Sequence, residues 1–283
     1  MLVLVEQPLE GDRLSFATAA RALGHRVVEL PVGATTLPID PGGFEWGVLY
    51  GELPSLDRYQ SLHAAARAKN ITLLNDVMQH ADAMELDRVV TRLGALTAKT
   101  EVVSRVEEVD AALGRLSLPL FTKGAVRSNK RLGWDSCVAT TADSVRDRVG
   151  ALLADPSLTR SRVLLRELLP LRRIDRALDG FPLSREYRLF VLDADILALG
   201  FYWPGNDPFG ALTDRELREV HELAHEAAVR TRVPWLCVDV GQLEDGSWRI
   251  IETQDPCCSA LSSVPPSLLV GSLARALEMR AGC

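Results

Sequence analysis

Apolar residues in the first 75 positions follow two alternating rhythms. Leu2–Val5, Arg26–Leu30, Trp46–Tyr50 and Ile71–Leu74 are short runs of strand length. Between them, Leu14–Leu23 and Leu56–Lys69 carry apolar residues at helical spacing, the first closed by Gly24. This alternation predicts a small parallel α/β lobe over residues 1–76. Its first strand is not followed by GxGxxG, so a dinucleotide fingerprint is missing. The middle predicts a helix at Ala81–Leu93, a strand at Thr100–Val103 and a helix at Val106–Leu113. The strand Leu118–Thr122, a cationic turn, a second strand and a helix from about Asp143 to Leu153 come next, and then the strand Arg162–Leu169. In the last third, Glu186–Leu192 and Ile196–Trp203 flank Asp193-Ala194-Asp195 as a hairpin. Thr213, with Glu216 three residues on, opens a helix reaching about Arg230. Trp235–Leu243 and Trp248–Thr253 flank Asp245-Gly246 as a second hairpin, and Leu268–Met279 is a closing helix. The predicted architecture is an α/β N-terminal lobe, residues 1–76, followed by two α+β lobes within 77–283.

Composition narrows the function classes. The 283 residues are 47% hydrophobic and 25% charged, an ordinary balance for a chain that buries a core. A net charge of −6 argues against a general nucleic-acid binder. No apolar run reaches the roughly 18 residues that would span a bilayer. The opening MLVLVEQPLEGDR lacks the basic start of a signal peptide, which points to the cytoplasm. Five cysteines (Cys137, Cys237, Cys257, Cys258, Cys283) without a CxxC pair suggest reduced thiols, neither a disulfide framework nor a cysteine zinc site. Only four of the 32 basic residues are lysines (Lys69, Lys99, Lys123, Lys130), so a lysine at a strand end is informative.

Four features could carry chemistry. Asp239 and Glu252 sit in the two apolar arms of the second hairpin, where an unpaired charge is costly. Pairing about Asp245-Gly246 lets both share one face, with Gln254 two residues beyond Glu252 returning to it. Hard oxygen donors of this kind suit Mg²⁺; a solvated face or arginine pairing is the plain alternative. Lys123 ends its strand and is followed by Gly124, Arg127, Lys130, Arg131 and Gly133, an arrangement suited to phosphate or simply a basic turn. Glu167 closes VLLRE, an extended segment that can meet an adenine edge or be an ordinary core strand with an acid among apolar neighbours. Arg185, Glu186 and Arg188 open another strand, and one arginine is expected to face a phosphate cleft with the others solvated.

A competing motif is His221-Glu222-Leu223-Ala224-His225, which matches the HExxH of zinc hydrolases. Its apolar stripe leaves the histidines at the edge, and no third histidine follows. His25, His63 and His80 are expected at the surface or as caps. Tyr202-Trp203 reads as a core edge or an aromatic wall. Cys257-Cys258 reads as a pocket lining with no activating base. Arg172, Arg173 and Arg176 form a basic cluster that could hold an acidic substrate or be a solvated loop.

The order of these pieces resembles the ATP-grasp superfamily over nearly the whole chain. FTKGAVRSNK, VLLREL, REYRLFVL, CVDVGQLEDGSW and IIETQDP carry the resemblance. The ETQDP…SAL ending is most similar to the clade named for an arginine-to-lysine exchange. The resemblance implies the ATP-grasp fold, with ATP between two α+β lobes. It also implies Lys123, Lys130 and Arg166 on the nucleotide, Glu167 and Leu168 at the adenine hinge, and Arg188 facing the γ-phosphate. Asp239, Glu252 and Gln254 would hold Mg²⁺, with Gln254 replacing the more usual asparagine. Arg88 stands where the family carries an earlier phosphate-contacting lysine. The implied activity is an ATP- and Mg²⁺-dependent carboxylate–amine ligase acting on an amino acid or peptide through an acylphosphate. A phosphotransferase and a catalytically silent nucleotide-binding module are the alternatives on the same scaffold. Substrate contacts are expected from the first lobe and from loops such as Thr35–Phe44 and Asn206–Leu212.

Overall fold

The structure, a computed structural model, describes residues 1–176 and 181–281. The side chain of Arg176 and the residue Cys283 lie outside the described residues. Among the described residues, three four-stranded sheets and one two-stranded sheet make up the fold.

The first sheet follows the sequence pattern closely. It is built from β1 (Leu2–Glu6), α1 (Gly11–Ala22), β2 (Arg26–Leu30), β3 (Glu45–Tyr50), α2 (Leu56–Arg67) and β4 (Ile71–Leu73). The strands are parallel in the order β2-β1-β3-β4. Every residue of β1 is buried, as expected for a parallel strand covered on both faces.

The helix expected at Ala81–Leu93 is two helices. α3 (Val77–Met84) starts from an Asp76–Gln79 capping box, and α4 (Leu86–Leu93) begins after a break at Glu85. Glu85 is extended and buried, and its carboxylate accepts from Arg160 and Arg162. The break therefore coincides with an ion pair to residues some 75 positions away, which local periodicity does not encode.

The second sheet comprises β5 (Thr100–Val103), β6 (Leu120–Gly124), β7 (Val138–Ala139) and β8 (Val163–Glu167), ordered β5-β8-β6-β7. Between these strands lie α5 (Val109–Leu113), α6 (Ala142–Leu153) and α7 (Pro156–Thr159). Val145, Val149 and Leu152 of α6 cover one face of the sheet against Leu120, Val163 and Leu165. β6 runs on to Gly124, so Lys123 is inside the strand, not at its end. Around Arg173, where the sequence suggests a loop, β9 (Arg173–Arg176) and β10 (Pro182–Ser184) pair antiparallel.

The third sheet is antiparallel: β11 (Glu186–Leu192), β12 (Asp195–Phe201), β13 (Trp235–Gln242) and β14 (Trp248–Gln254), ordered β12-β11-β13-β14. Both hairpins lie where the sequence places them. The first turns on Asp193 and Ala194 with φ of 51° and 72°, the left-handed pair a tight two-residue turn needs. α8 (Asp214–Thr231), capped by Thr213 and Glu216, covers Leu236, Val238 and Val240 on one face. α9 (Pro266–Ala281) and α1 cover the other, where Phe190, Leu192, Trp235 and Cys237 share a core with Val3, Phe16 and Leu273. Among the described residues no helix is long and apolar enough to cross a membrane.

Candidate active site

Strand alternation decides which side chains reach the cleft. Glu186 and Arg188 share a face with Phe190 and Leu192 on β11. Register then places Arg188 opposite Asp239, and Asp239 opposite Glu252. The face covered by α1 and α9 is thus apolar at one end and charged at the other. Over the charged end lie Phe121, Lys123 and Arg166 from the second sheet, where Phe121 pairs with Arg166 across β6 and β8. Between the two sheets is a cavity of about 330 Å³, lined by these three residues and by Glu186 and Glu252.

Each carboxylate on this face has a cation, apart from Glu186. Arg188 donates from Nε and Nη2 to the two oxygens of Asp239, each at 2.8 Å, and from Nη1 to the Ala260 carbonyl at 2.8 Å. Lys123 Nζ donates to Glu252 Oε1. Lys123, Arg188 and Asp239 are buried and Glu252 largely so, and charges this far from water persist only when partnered. Burial alone would raise the Glu252 carboxyl, but Lys123, Lys130 and Arg166 outweigh it and hold it at about 2. Burial lowers the Lys123 ammonium, against the opposing pull of Glu252. Beside Asp239 the register slips by one, with Val240 opposite Ile250, so Ile251 is the extra residue of a bulge on β14. The Tyr202 ring lies 4.7 Å from the Arg188 guanidinium.

Gln254 sits on the same face, as expected. Its Nε2 is 3.5 Å from Asp239 Oδ2 and its Oε1 accepts from Ser259 Oγ at 3.2 Å. Asp239, Glu252 and Gln254 form a set of hard oxygen donors on two paired strands, which fits a divalent cation.

At the other end of the cavity, Lys130 lies 5.7 Å over the Phe181 ring. Arg166 donates to Ile251 O at 2.8 Å and to Thr97 Oγ1 at 2.7 Å; burial lowers it to about 10, and its Nε has no acceptor among the described residues. Glu167 is partly exposed and accepts from Ser117 N at 3.0 Å, so it is not an acid enclosed by apolar neighbours. The Glu167 N–H donates to Lys99 O and the Leu168 N–H to Pro119 O at 3.0 Å. Among the described residues, the Leu169 N–H beside the cavity has no acceptor.

Other expected residues lie elsewhere. Arg88 joins Arg92 on Asp82, with Nε 2.7 Å from Oδ1, and does not line the cavity. Arg185, which an exposed strand end would leave solvated, is buried against Asp207, Glu216 and Gln242. Asp207 also accepts from the Tyr187 hydroxyl at 2.7 Å, which ties down the loop at 206–212. Arg172 stacks 3.7 Å over Phe209, while Arg173 reaches the cavity. His221 and His225 are on α8, against the face opposite the carboxylates, and His225 Nδ1 is 3.1 Å from Ala194 O.

His80 is not a surface residue. It is fully buried, stacked 3.8 Å from Tyr59, and its Nδ1 donates to Asp255 Oδ2 at 2.9 Å. Among the described residues, His80, Asp255 and Cys257 are the one group of three histidine, cysteine or acidic side chains whose ligand atoms all lie within 4.8 Å of one another. The HExxH histidines therefore have no such third ligand. Asp255 is already met by Asn75, His80 and the Cys257 N–H, and burial pushes the Cys257 thiol up, away from nucleophilic character.

Glu186 is a functional candidate that the sequence pattern does not single out. Burial, reinforced by Asp239, raises its carboxyl to about 7. Its spacing of two from Arg188 is the available signal, since alternation puts both on the charged face.

The profile of an ATP-grasp domain, family 3 of the clade named for the arginine-to-lysine exchange, matches residues 54–273. No curated protein matches the chain. Among solved structures, a RimK domain ATP-grasp protein from Sphaerobacter thermophilus superposes with a TM-score of 0.65 at 16% identity, covering 96% of this chain and 99% of that one. The D-cycloserine synthetase DcsG gives 0.63 at 15% identity, covering 98% and 100%. The ATP-grasp ligase PsnB, complexed with a minimal precursor, gives 0.61 at 14% identity, covering 97% and 98%. These likenesses show a shared fold. The chain belongs to the ATP-grasp superfamily, in family 3 of its arginine-to-lysine clade.

Proposed function

We propose that the chain is an ATP- and Mg²⁺-dependent carboxylate–amine ligase. ATP would occupy the cavity between the second and third sheets, within residues 77–283, and residues 1–76 would form the lobe that helps hold the acceptor. The observation that carries this reading is the pair of adjacent buried ion pairs, Arg188–Asp239 and Lys123–Glu252. Support also comes from PsnB, described as an ATP-grasp ligase in complex with Mg and ADP, and from DcsG, a synthetase.

The two pairs prepare opposite charges for exchange. Asp239, Glu252 and Gln254 would hold Mg²⁺, which when bound neutralises charge on the triphosphate. Lys123 and Arg188, relieved of carboxylate partners, would donate to phosphate oxygens. Their burial makes each such bond count for more than it would in water. Lys130 and Arg166 would add positive field along the cavity, and the Leu169 N–H would meet a base edge. A carboxylate of an amino acid or peptide would take the γ-phosphoryl group, and an amine would then displace phosphate from the acylphosphate.

Screening pairs of amino acids or short peptides with amines for ADP release, with mass spectrometry of the products, tests the proposal. ADP release that needs both partners and yields the condensed product is the expected result. Asp239→Asn or Glu252→Gln should lower it by a factor of about 10² or more while the protein stays folded. Normal turnover in both variants would remove the assignment. Release without an amine, leaving a phosphorylated product, would mark a phosphotransferase. ATP binding with no ADP formed would mark a silent module.

A further inference from the structure

The segment after β14, residues 255–261, crosses between the charged face and the first sheet. On the site side, the Ala260 carbonyl accepts from Arg188 Nη1 at 2.8 Å and Ser259 Oγ donates to Gln254 Oε1 at 3.2 Å. Opposite Arg188 on β12 is Gly200, where a Cβ would lie 2.8 Å from Val264 N and Ser263 Oγ, so a side chain there would push the following residues off the sheet.

On the other side the same segment is held from the first 80 residues. Asn75 Nδ2 and His80 Nδ1 both donate to Asp255 Oδ2 at 2.9 Å. The Gly51 N–H donates to Cys257 O at 2.7 Å and the Tyr50 hydroxyl to Ser259 O at 3.0 Å. The Leu261 N–H donates to Asp12 Oδ2 at 2.8 Å. Tyr50 ends β3 and Asp12 lies in the first turn of α1, which follows β1. β1 and β3 are neighbours whose connections leave in opposite directions, so this is the switch point of the sheet, where α/β folds place ligands.

We infer that residues 255–261 are a strap through which the carboxyl ends of β1 and β3 set the position of Arg188 and Gln254. Tyr50 and Asp12 are positioning residues for the metal and phosphate end of the site. Neither of them lines the cavity. The inference rests on the proposed nucleotide site. It predicts that loosening the strap weakens metal binding and spares the base.

The test uses the full chain and two variants, Tyr50→Phe, which removes one hydroxyl and keeps the ring stacked 4.5 Å from Phe16, and Asp12→Ala. Calorimetry with ADP in chelator measures nucleotide binding without the metal. Electron paramagnetic resonance of Mn²⁺ added to the protein–ADP complex measures the metal end. ADP affinity without metal should stay within about twofold, and Mn²⁺ affinity should fall about tenfold, as for loss of a group that orients a metal ligand. Unchanged Mn²⁺ affinity in both variants would overturn the inference and leave the nucleotide site standing. An equal fall in both affinities would also overturn it, because that is the mark of general loosening. If the parent chain bound ADP but no Mn²⁺, the nucleotide–metal reading would fall and the strap's role with it.

Discussion

Asp239 and Arg188 test how a buried charge is held. Asp239→Ala leaves the guanidinium without its two-pronged partner and should destabilise the protein by about 3–5 kcal/mol. Adding Arg188→Met should recover part of that loss, measured by urea unfolding; a simply additive double variant would show that the pair is not coupled. Glu186 makes a pH prediction with a definite sign. Its carboxyl is raised to about 7 by burial, so the folded state holds the proton more tightly than the unfolded chain. The stability this provides is complete below the unfolded value near 4.5 and is lost as pH rises through 7. Relative to Glu186→Gln, the parent should therefore lose about 3 kcal/mol between about pH 4 and pH 8. Parallel pH profiles of the two proteins would contradict it. Lys123, Asp239 and Glu252 are legible in the sequence because a charge inside an apolar run is conspicuous. Arg88 and His80 are not. The partners that settle them, Asp82 for one and Asp255 for the other, come from a neighbouring helix and from a strand end 175 positions away.

Elements are legible in proportion to how local their causes are. Both hairpins of the third sheet and the Thr213 cap follow from a few adjacent residues, and the structure places them within about two residues of expectation. The break at Glu85 and the pairing of β9 with β10 depend on contacts distant in sequence or on strands too short for alternation to show. The apolar pattern ends β6 early because a glycine follows the lysine. That glycine is part of the strand, and a Cβ on Gly124 would lie 2.1 Å from the Leu158 carbonyl oxygen. Backbone cannot swing aside as a side chain can, so Gly124→Ala should cost about 2–3 kcal/mol, read from the denaturation midpoint. Because Lys123 is adjacent, the same variant should weaken ADP binding. Full stability in Gly124→Ala would mean that β6 and Leu158 are not packed as described.

At the scale of the molecule, the charged cleft exists because one sheet face changes character along its strands. Its apolar end packs under α1 and α9, joining the closing helix to the first sheet, while its polar end meets Lys123 and Arg166 from another sheet. The order of motifs makes this assembly recognisable from sequence, since each motif marks one wall of the cleft. The strap to the first sheet is invisible there, because Tyr50 and Asp12 meet backbone groups of the strap 209 and 249 positions away. The most direct test of the nucleotide–metal cleft is the anomalous scattering of Mn²⁺ in crystals grown with a non-hydrolysable ATP analogue. The expected result is a peak in coordination range of both Asp239 and Glu252, with Lys123 and Arg188 turned to the phosphates. A nucleotide bound with its metal elsewhere, and both ion pairs intact, would contradict it.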